Sequence, residues 1–253
     1  MKIISLSLLL FGLLIPTFGH TKEKLTIASV KQDLNAYHDE NGKPTGLVID
    51  LVQTGMDRMN IEVEFKILPW NRALNGTYAG TYDAVLKPFW NPERHEKLDF
   101  SREVLIREAI ALYKQKGKNI TFNGEWNRLK DKKFGVIQGY SYGRYFDKIQ
   151  ALWKLDTDEA TDIAHNFTKL MNDRFDLLLG FTSYTEGSIK KFNLQDEIER
   201  LPTIVDFAEG HIAFTRARDL TVIRDAFDEQ IRWMRQNGIY HQLHQKYGVE
   251  YLQ

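Results

Sequence analysis

Residues 81–101 read TYDAVLKPFWNPERHEKLDFS. The run Asp83-Ala84-Val85-Leu86 has strand character, and it stops at Pro88 in front of two adjacent aromatic rings. Asn91-Pro92 then turns the chain, and Arg94 rides on that turn. A strand that ends in rings and an arginine is either an inert surface loop or one wall of a binding site. The flanking sequence decides between them.

Upstream, Lys24 to Val30 reads as a strand and Leu47 to Met59 as an amphipathic helix. Ile61, Val63, Phe65 and Ile67 keep the period of two of a half-buried strand. A helical segment starts near Asn71 and leads into the quoted stretch. This β-α-β-α-β order predicts a parallel sheet with helices on its faces.

Downstream the pattern repeats. Phe134-Gly135-Val136-Ile137 is strand-like, and Tyr142, Tyr145, Phe146, Ile149, Leu152 and Trp153 fall on one helical face, with Ser141 as its N-cap. A further helix carries Ile163, Phe167, Leu170 and Met171, and it precedes the strand Phe175 to Leu179. Two extended segments, Ala109–Tyr113 and Gly210–Phe214, lie between the units. A long helix, Leu220 to Gln236, is closed by Gly238 and followed by a shorter one ending at Tyr247. If both extended segments are crossovers, the C-terminal helices return to the first unit, and the second is an insertion.

The first residues, MKIISLSLLLFGLLIPTFG, carry one lysine and an apolar run broken at Pro16, with Thr17 and Gly19 before a cleavage point. They read as a secretory signal peptide over residues 1–19. The chain of 253 residues has no cysteine, so it holds neither a disulfide framework nor a lipid-attachment site, and a hydrophobic core alone must hold it. A periplasmic location without a lipid anchor is expected. Lys and Arg number 34 against 34 Asp and Glu, and no basic stripe offers a nucleic-acid footprint.

Taken in order, Gly46-Leu47-Val48-Ile49-Asp50-Leu51, Gly80-Thr81-Tyr82-Asp83-Ala84-Val85, Asn91-Pro92-Glu93-Arg94 and Asp99-Phe100-Ser101 form a familiar series. Gly135-Val136-Ile137-Gln138-Gly139, Asn237-Gly238-Ile239-Tyr240 and Lys246-Tyr247-Gly248 complete it. With these motifs the chain resembles the family 3 extracellular solute-binding proteins, of the polar amino acid type, over nearly all of its mature length. The resemblance implies the α/β type II periplasmic-binding-protein fold, two α/β lobes joined by a two-strand hinge. Lobe 1 is then residues 20–110 plus 212–253, and lobe 2 is residues 111–211.

In that family an arginine at the place of Arg94 grips the ligand's α-carboxylate, which suits a planar guanidinium with paired donors. Ser141, after Gly139-Tyr140, matches a Ser/Thr that shares this task at a helix start. The other half of an amino acid site is replaced. Phe89 stands where the family has a Ser or Thr, and Phe181 stands where it has the Asp that holds the ligand's ammonium. An ammonium buried without partners costs several kcal/mol. The implied ligand is therefore a small anion, a carboxylate with an amino-acid-like or aromatic body.

Of Phe89 and Trp90 one faces the cleft and the other the core, because neighbours on an extended segment point opposite ways. Trp70 and Tyr37 each follow a predicted strand, where ligands bind in open parallel sheets, and Tyr140 completes the candidate wall. His241 and His244 are three apart but lack a third ligand and read as a solvated helix face. Asp156, Asp158, Glu159 and Asp162 read as a helix start. No metal and no cofactor are expected. The expected role is binding rather than catalysis, by a monomer that delivers its ligand to a membrane permease or a sensory receptor. The alternative is a periplasmic cyclohexadienyl or arogenate-type dehydratase on the same fold, for which Glu186 and Glu209 are the acids nearest the cleft in chain order.

Overall fold

The structure, a computed structural model, describes residues 23–252. The predicted signal peptide falls outside the described residues. Nine strands form one curled sheet, in the order β4-β1-β5-β11-β7-β10-β8-β9, with β6 on the flank of β11. The first half holds β1 (Lys24–Ser29), α1 (Leu47–Arg58), β4 (Glu62–Ile67), α2 (Trp70–Tyr78), β5 (Ala84–Phe89), α3 (Pro92–Lys97) and β6 (Leu98–Phe100). A small hairpin, β2 (Tyr37–His38) with β3 (Pro44–Thr45), precedes α1. The long strand β7 (Ile106–Gln115) leaves this half. Beyond it come β8 (Phe134–Ile137), α4 (Gly143–Trp153), β9 (Thr157–Ala160), α5 (Ile163–Met171), β10 (Leu177–Phe181) and α6 (Thr182–Lys191). The chain returns along β11 (Ile198–Thr215), and α7 (Thr221–Gln236) and α8 (Ile239–Tyr247) close it.

Burial explains the layout. Every residue of β5 is buried, as befits a strand covered on both faces, and β1 pairs it in parallel. At the edge, β4 alternates Val63, Phe65 and Ile67 with Glu62, Glu64 and Lys66, so its outer side is charged and does not invite another strand. Helix α1 buries Leu47, Val48, Leu51, Val52 and Met56 against that sheet and against Phe227 and Ile231 of α7. Its entry requires Gly46: the backbone has φ 124°, and a Cβ there would collide with the Asn35 carbonyl. So the C-terminal helices do pack on the first unit.

The two crossovers run inside longer strands. β7 and β11 pair antiparallel from Ile198 opposite Gln115 to Gly210 opposite Ile106, with bulges between Arg200 and Asp206. Past Gly210, β11 pairs with β5 and β6 instead. Two adjacent, bulged strands are thus the connection between two halves that have separate cores.

Three local readings are corrected. On α4 only Phe146 and Ile149 are buried, whereas Tyr145 and Leu152 are half-exposed or more, because the sheet covers a narrower stripe than the apolar spacing suggests. His244 is not solvated: it is buried, with Nδ1 facing the carbonyls of Val249 and Glu250 as the chain turns back over α8. Of the acidic cluster only Asp162 caps a helix, accepting from the His165 N–H, while Asp158 sits in β9 and pairs with Lys169.

Candidate functional site

Strand β5 delivers the site. Just before its end Lys87 adopts φ 59°, a left-handed backbone that costs a non-glycine residue roughly 1 kcal/mol or more and persists only where its surroundings enforce it. Here the enforcement is electrostatic. The Lys87 ammonium is 2.7 Å from Glu108 Oε2 of β7 and donates to Gln32 Oε1 at 2.6 Å, with both partners of the ion pair almost fully buried. Glu108 Oε1 accepts from Ser183 Oγ at 2.7 Å and from Asn35 Nδ2 at 3.4 Å. One buried cluster therefore joins β5, the connecting strand β7 and α6.

After Phe89 the chain enters α3, whose N-cap Asn91 accepts from the Arg94 N–H at 2.8 Å, with Pro92 in the first turn. This short helix points the Arg94 side chain inward, where it is 4% exposed. Its Nη1 donates to the Phe89 carbonyl and its Nη2 to the Gly139 carbonyl, each at 2.8 Å. Burial lowers the guanidinium pKa from its usual value, and Tyr78, Asp147 and Glu93 partly oppose this. No carboxylate forms an ion pair with Arg94 among the described residues.

Trp70 opens α2, and its Nε1 donates to the same Gly139 carbonyl at 2.8 Å. The Arg94 guanidinium lies 5.1 Å from its ring centre. Gly139 has φ 74°, and a Cβ there would stand 2.5 Å from Asn71 Oδ1, so only glycine permits this approach of the two halves. Tyr140 meets the Trp70 ring edge-on at 5.9 Å, and burial pushes its phenol up to about 12.

These side chains border a partly open space of about 270 Å³, its solvent-open part included, lined by Val30, Gln32, Trp70, Lys87, Phe89, Arg94, Tyr140 and Ser141. Five expected site residues thus meet in one cavity: Trp70, Phe89, Arg94, Tyr140 and Ser141. Three do not. Phe181 is fully buried one layer behind, 4.8 Å from Phe89 and stacked on Tyr142 at 5.4 Å, so it supports the wall. Trp90 is 36% exposed beneath the Arg144 guanidinium; it is neither in the cavity nor in the core. Tyr37 pairs with Thr45 in the hairpin, near Tyr247 and Asp50, and does not line the cavity.

Ser141 is not the N-cap of α4. The helix starts one turn position later, and Ser141 Oγ donates to Asp147, which also accepts from the Tyr142 N–H at 3.0 Å. The two acids weighed for catalysis lie elsewhere. Glu186 pairs with Arg200 at 3.2 Å, and Glu209 lines a separate cavity with Arg235 and Tyr240.

Lys87 and Glu108 escaped the sequence reading, although each is a charge set inside an apolar strand run, AVLKPF and IREAIALY. A lone charge in such a run needs a partner, and these two, on strands flanking β11, are each other's partner. Among the described residues no acidic or histidine cluster could hold a metal ion.

Comparison with known proteins places this arrangement. The model of the bacterial extracellular solute-binding proteins, family 3, matches residues 26–250. The L-cystine-binding protein TcyA of Bacillus subtilis (strain 168) is 26% identical over 85 residues, 33% of this chain and about a third, 32%, of its own length. A probable amino-acid ABC transporter-binding protein of Haemophilus influenzae is 22% identical over 219 residues, 82% of this chain and 77% of that one. Among solved structures, an ancestral arginine-binding protein bound to arginine superposes with a TM-score of 0.75 at 21% identity, covering 90% of this chain and 99% of the other. That likeness shows the fold: two lobes of the type II periplasmic-binding kind.

Proposed function

We propose, for a chain that belongs to the bacterial extracellular solute-binding proteins, family 3, that its two lobes close over a small carboxylate with an apolar or aromatic body. The observation that carries this reading is the isolation of Arg94. A guanidinium that is 4% exposed, and whose partners are two carbonyls, the Trp70 ring and the Tyr78 side chain with no anion among them, holds its charge in a poorly solvated place. An anion entering there gains a charge-assisted, bidentate contact that neither carbonyl supplies.

The same site disfavours a free ammonium. The acids adjoining the cavity are already engaged, Glu108 by Lys87, Ser183 and Asn35, and Asp147 by the Ser141 hydroxyl and the Tyr142 N–H. The rings of Trp70, Phe89 and Tyr140 offer area instead, so the ligand's body is apolar. Arg94 and Trp70 on one lobe reach Gly139 on the other, hence a ligand at that point contacts both lobes only when they are closed and shifts the open–closed balance accordingly.

In this reading lobe 1 is residues 20–110 plus 212–253 and lobe 2 is 111–211. The protein works outside the cytoplasm as a monomer, handing its ligand to an ABC permease or presenting its closed form to a receptor. No helix of the described residues is long and apolar enough to cross a membrane.

The test is thermal stability of the protein lacking residues 1–19 against standard amino acids, aliphatic and aromatic carboxylates, and prephenate, with phenylpyruvate formation assayed alongside. A ligand at a hundred times its dissociation constant adds about 2.7 kcal/mol. Stabilisation by carboxylates without an amino group is expected. Stabilisation by amino acids alone, or turnover of prephenate, refutes the reading.

A further inference from the structure

The anion cavity does not end at its rings. A second, larger space of about 1210 Å³ adjoins it and shares Val30, Trp70 and Tyr140 with it. Its apolar wall comes from both halves: Leu68 and Trp70 on one side, and Tyr140, Ile163, Tyr184 and Phe192 on the other. Phe192, at the end of α6, is 45% exposed at the mouth. Across the same mouth, Lys191 of α6 and Asp33 from the loop after β1 form an ion pair at 2.8 Å, which spans the two halves.

Size argues that both spaces belong to one ligand site. The inner space, about 270 Å³ with the part open to solvent included, has little room beyond an anionic head. An anionic head bound to Arg94 fills it, and anything attached to that head must pass the edge-on pair of Trp70 and Tyr140. The outer space lies directly beyond that pair. Its exposed Phe192 ring has apolar area to bury, and the charges that line it balance, Lys31 and Lys191 against Asp33 and Asp162, with Lys191 and Asp33 already paired, so the chamber selects for apolar surface more than for net charge.

Resting on the anion-site reading, we infer that the ligand is bipartite: a carboxylate head in the Arg94 cavity joined to an elongated, mainly apolar body, longer than a standard amino acid side chain, that occupies the outer chamber. Trp70 and Tyr140 form the collar through which the two parts are joined. The Lys191–Asp33 pair then closes over the body when the halves come together.

A homologous series of ω-phenylalkanoates, from phenylacetate to phenyloctanoate, tests this by calorimetric titration. Each methylene that enters the chamber should tighten binding about fourfold, until the chamber is filled. Ala164→Trp, at a half-buried α5 position lining the chamber, should abolish the gain with length and leave binding of acetate, the head alone, unchanged. Phe192→Ala, at an exposed position where folding is not at stake, should weaken the long acids by several-fold and spare the short one. Affinity that is flat with length, no binding by any member, or equal loss of short and long acids in both variants overturns the inference. The Arg94→Ala variant separates the two readings: if it binds phenylacetate as the parent does, the anion site is wrong, whatever the length series shows.

Discussion

The Arg94 guanidinium donates to the Gly139 carbonyl at 2.8 Å, and the Trp70 indole donates to the same oxygen. One lobe thus grips the other through a neutral acceptor placed where a ligand oxygen would serve as well or better. A carbonyl carries only partial negative charge, so a carboxylate at this point competes favourably for Arg94.

Replacing Arg94 by Ala should therefore lower the affinity for any carboxylate ligand by at least a hundredfold, in line with the about 1.5–3 kcal/mol of a hydrogen bond to a charged group, made twice. Arg94→Lys should recover only a minor part, because an ammonium lacks the paired planar donors. Calorimetry on both variants reads this directly. Binding equal to the parent's in Arg94→Ala would remove Arg94 from the site.

The Lys87–Glu108 pair makes a separate prediction about stability. Both side chains are almost wholly buried. Lys87→Met strands a carboxylate out of water and should cost about 3–5 kcal/mol in urea unfolding. Adding Glu108→Gln to that variant removes the stranded charge and should restore a large share of the loss. Equal stability of the single and double variants would show that the pair is not coupled.

Much of this architecture is legible in the sequence, and the limits are physical. The period of two at Ile61 to Ile67 and the helical face of Leu47 to Met59 reveal their elements because one side of each meets water. β5 is buried on all sides, so nothing in the pattern AVLKPF says which ring faces the cleft; the backbone turn at Lys87 decides that. Arg94, Phe89 and Ser141, singled out by motif, and Trp70 and Tyr140, singled out by their place near strand ends, line one cavity. Trp90 and Tyr37 do not line it, because being next to a strand end in sequence does not fix a side chain's direction. Lys87 and Glu108 come together through the pairing of β11 with β5 and β7, and Gln32 through the pairing of β1 with β5, which no local pattern encodes.

Phe181 lies behind the cavity wall, against Phe89 and Tyr142. Its truncation should act first on the fold. Phe181→Ala opens a cavity in the second lobe's core and should destabilise by about 3–5 kcal/mol. Ligand affinity should fall less, by roughly 1–3 kcal/mol, as Phe89 loses its backing. A variant with parental stability and lost binding would instead put Phe181 in direct contact with the ligand.

His211 and His244 give stability a dependence on pH. Burial holds both imidazoles below their usual pKa, while Glu103 and Ser101 backbone contacts, for His211, and those of Val249 and Glu250, for His244, partly oppose this. In the unfolded chain each takes up its proton near pH 6.5. Just below that pH the unfolded state binds more protons than the folded one, so stability falls as the solution is acidified, until the folded-state pKa is passed. The slope contributed by each histidine is at most about 1.4 kcal/mol per pH unit. His244→Asn retains a donor for the Val249 and Glu250 carbonyls but cannot titrate. Urea unfolding between pH 7.5 and pH 5 should therefore show a shallower loss for His244→Asn than for the parent, with the two closest in stability at the acid end. Parallel curves would mean that His244 titrates alike in the folded and unfolded chains, and that its burial has no hold on its charge.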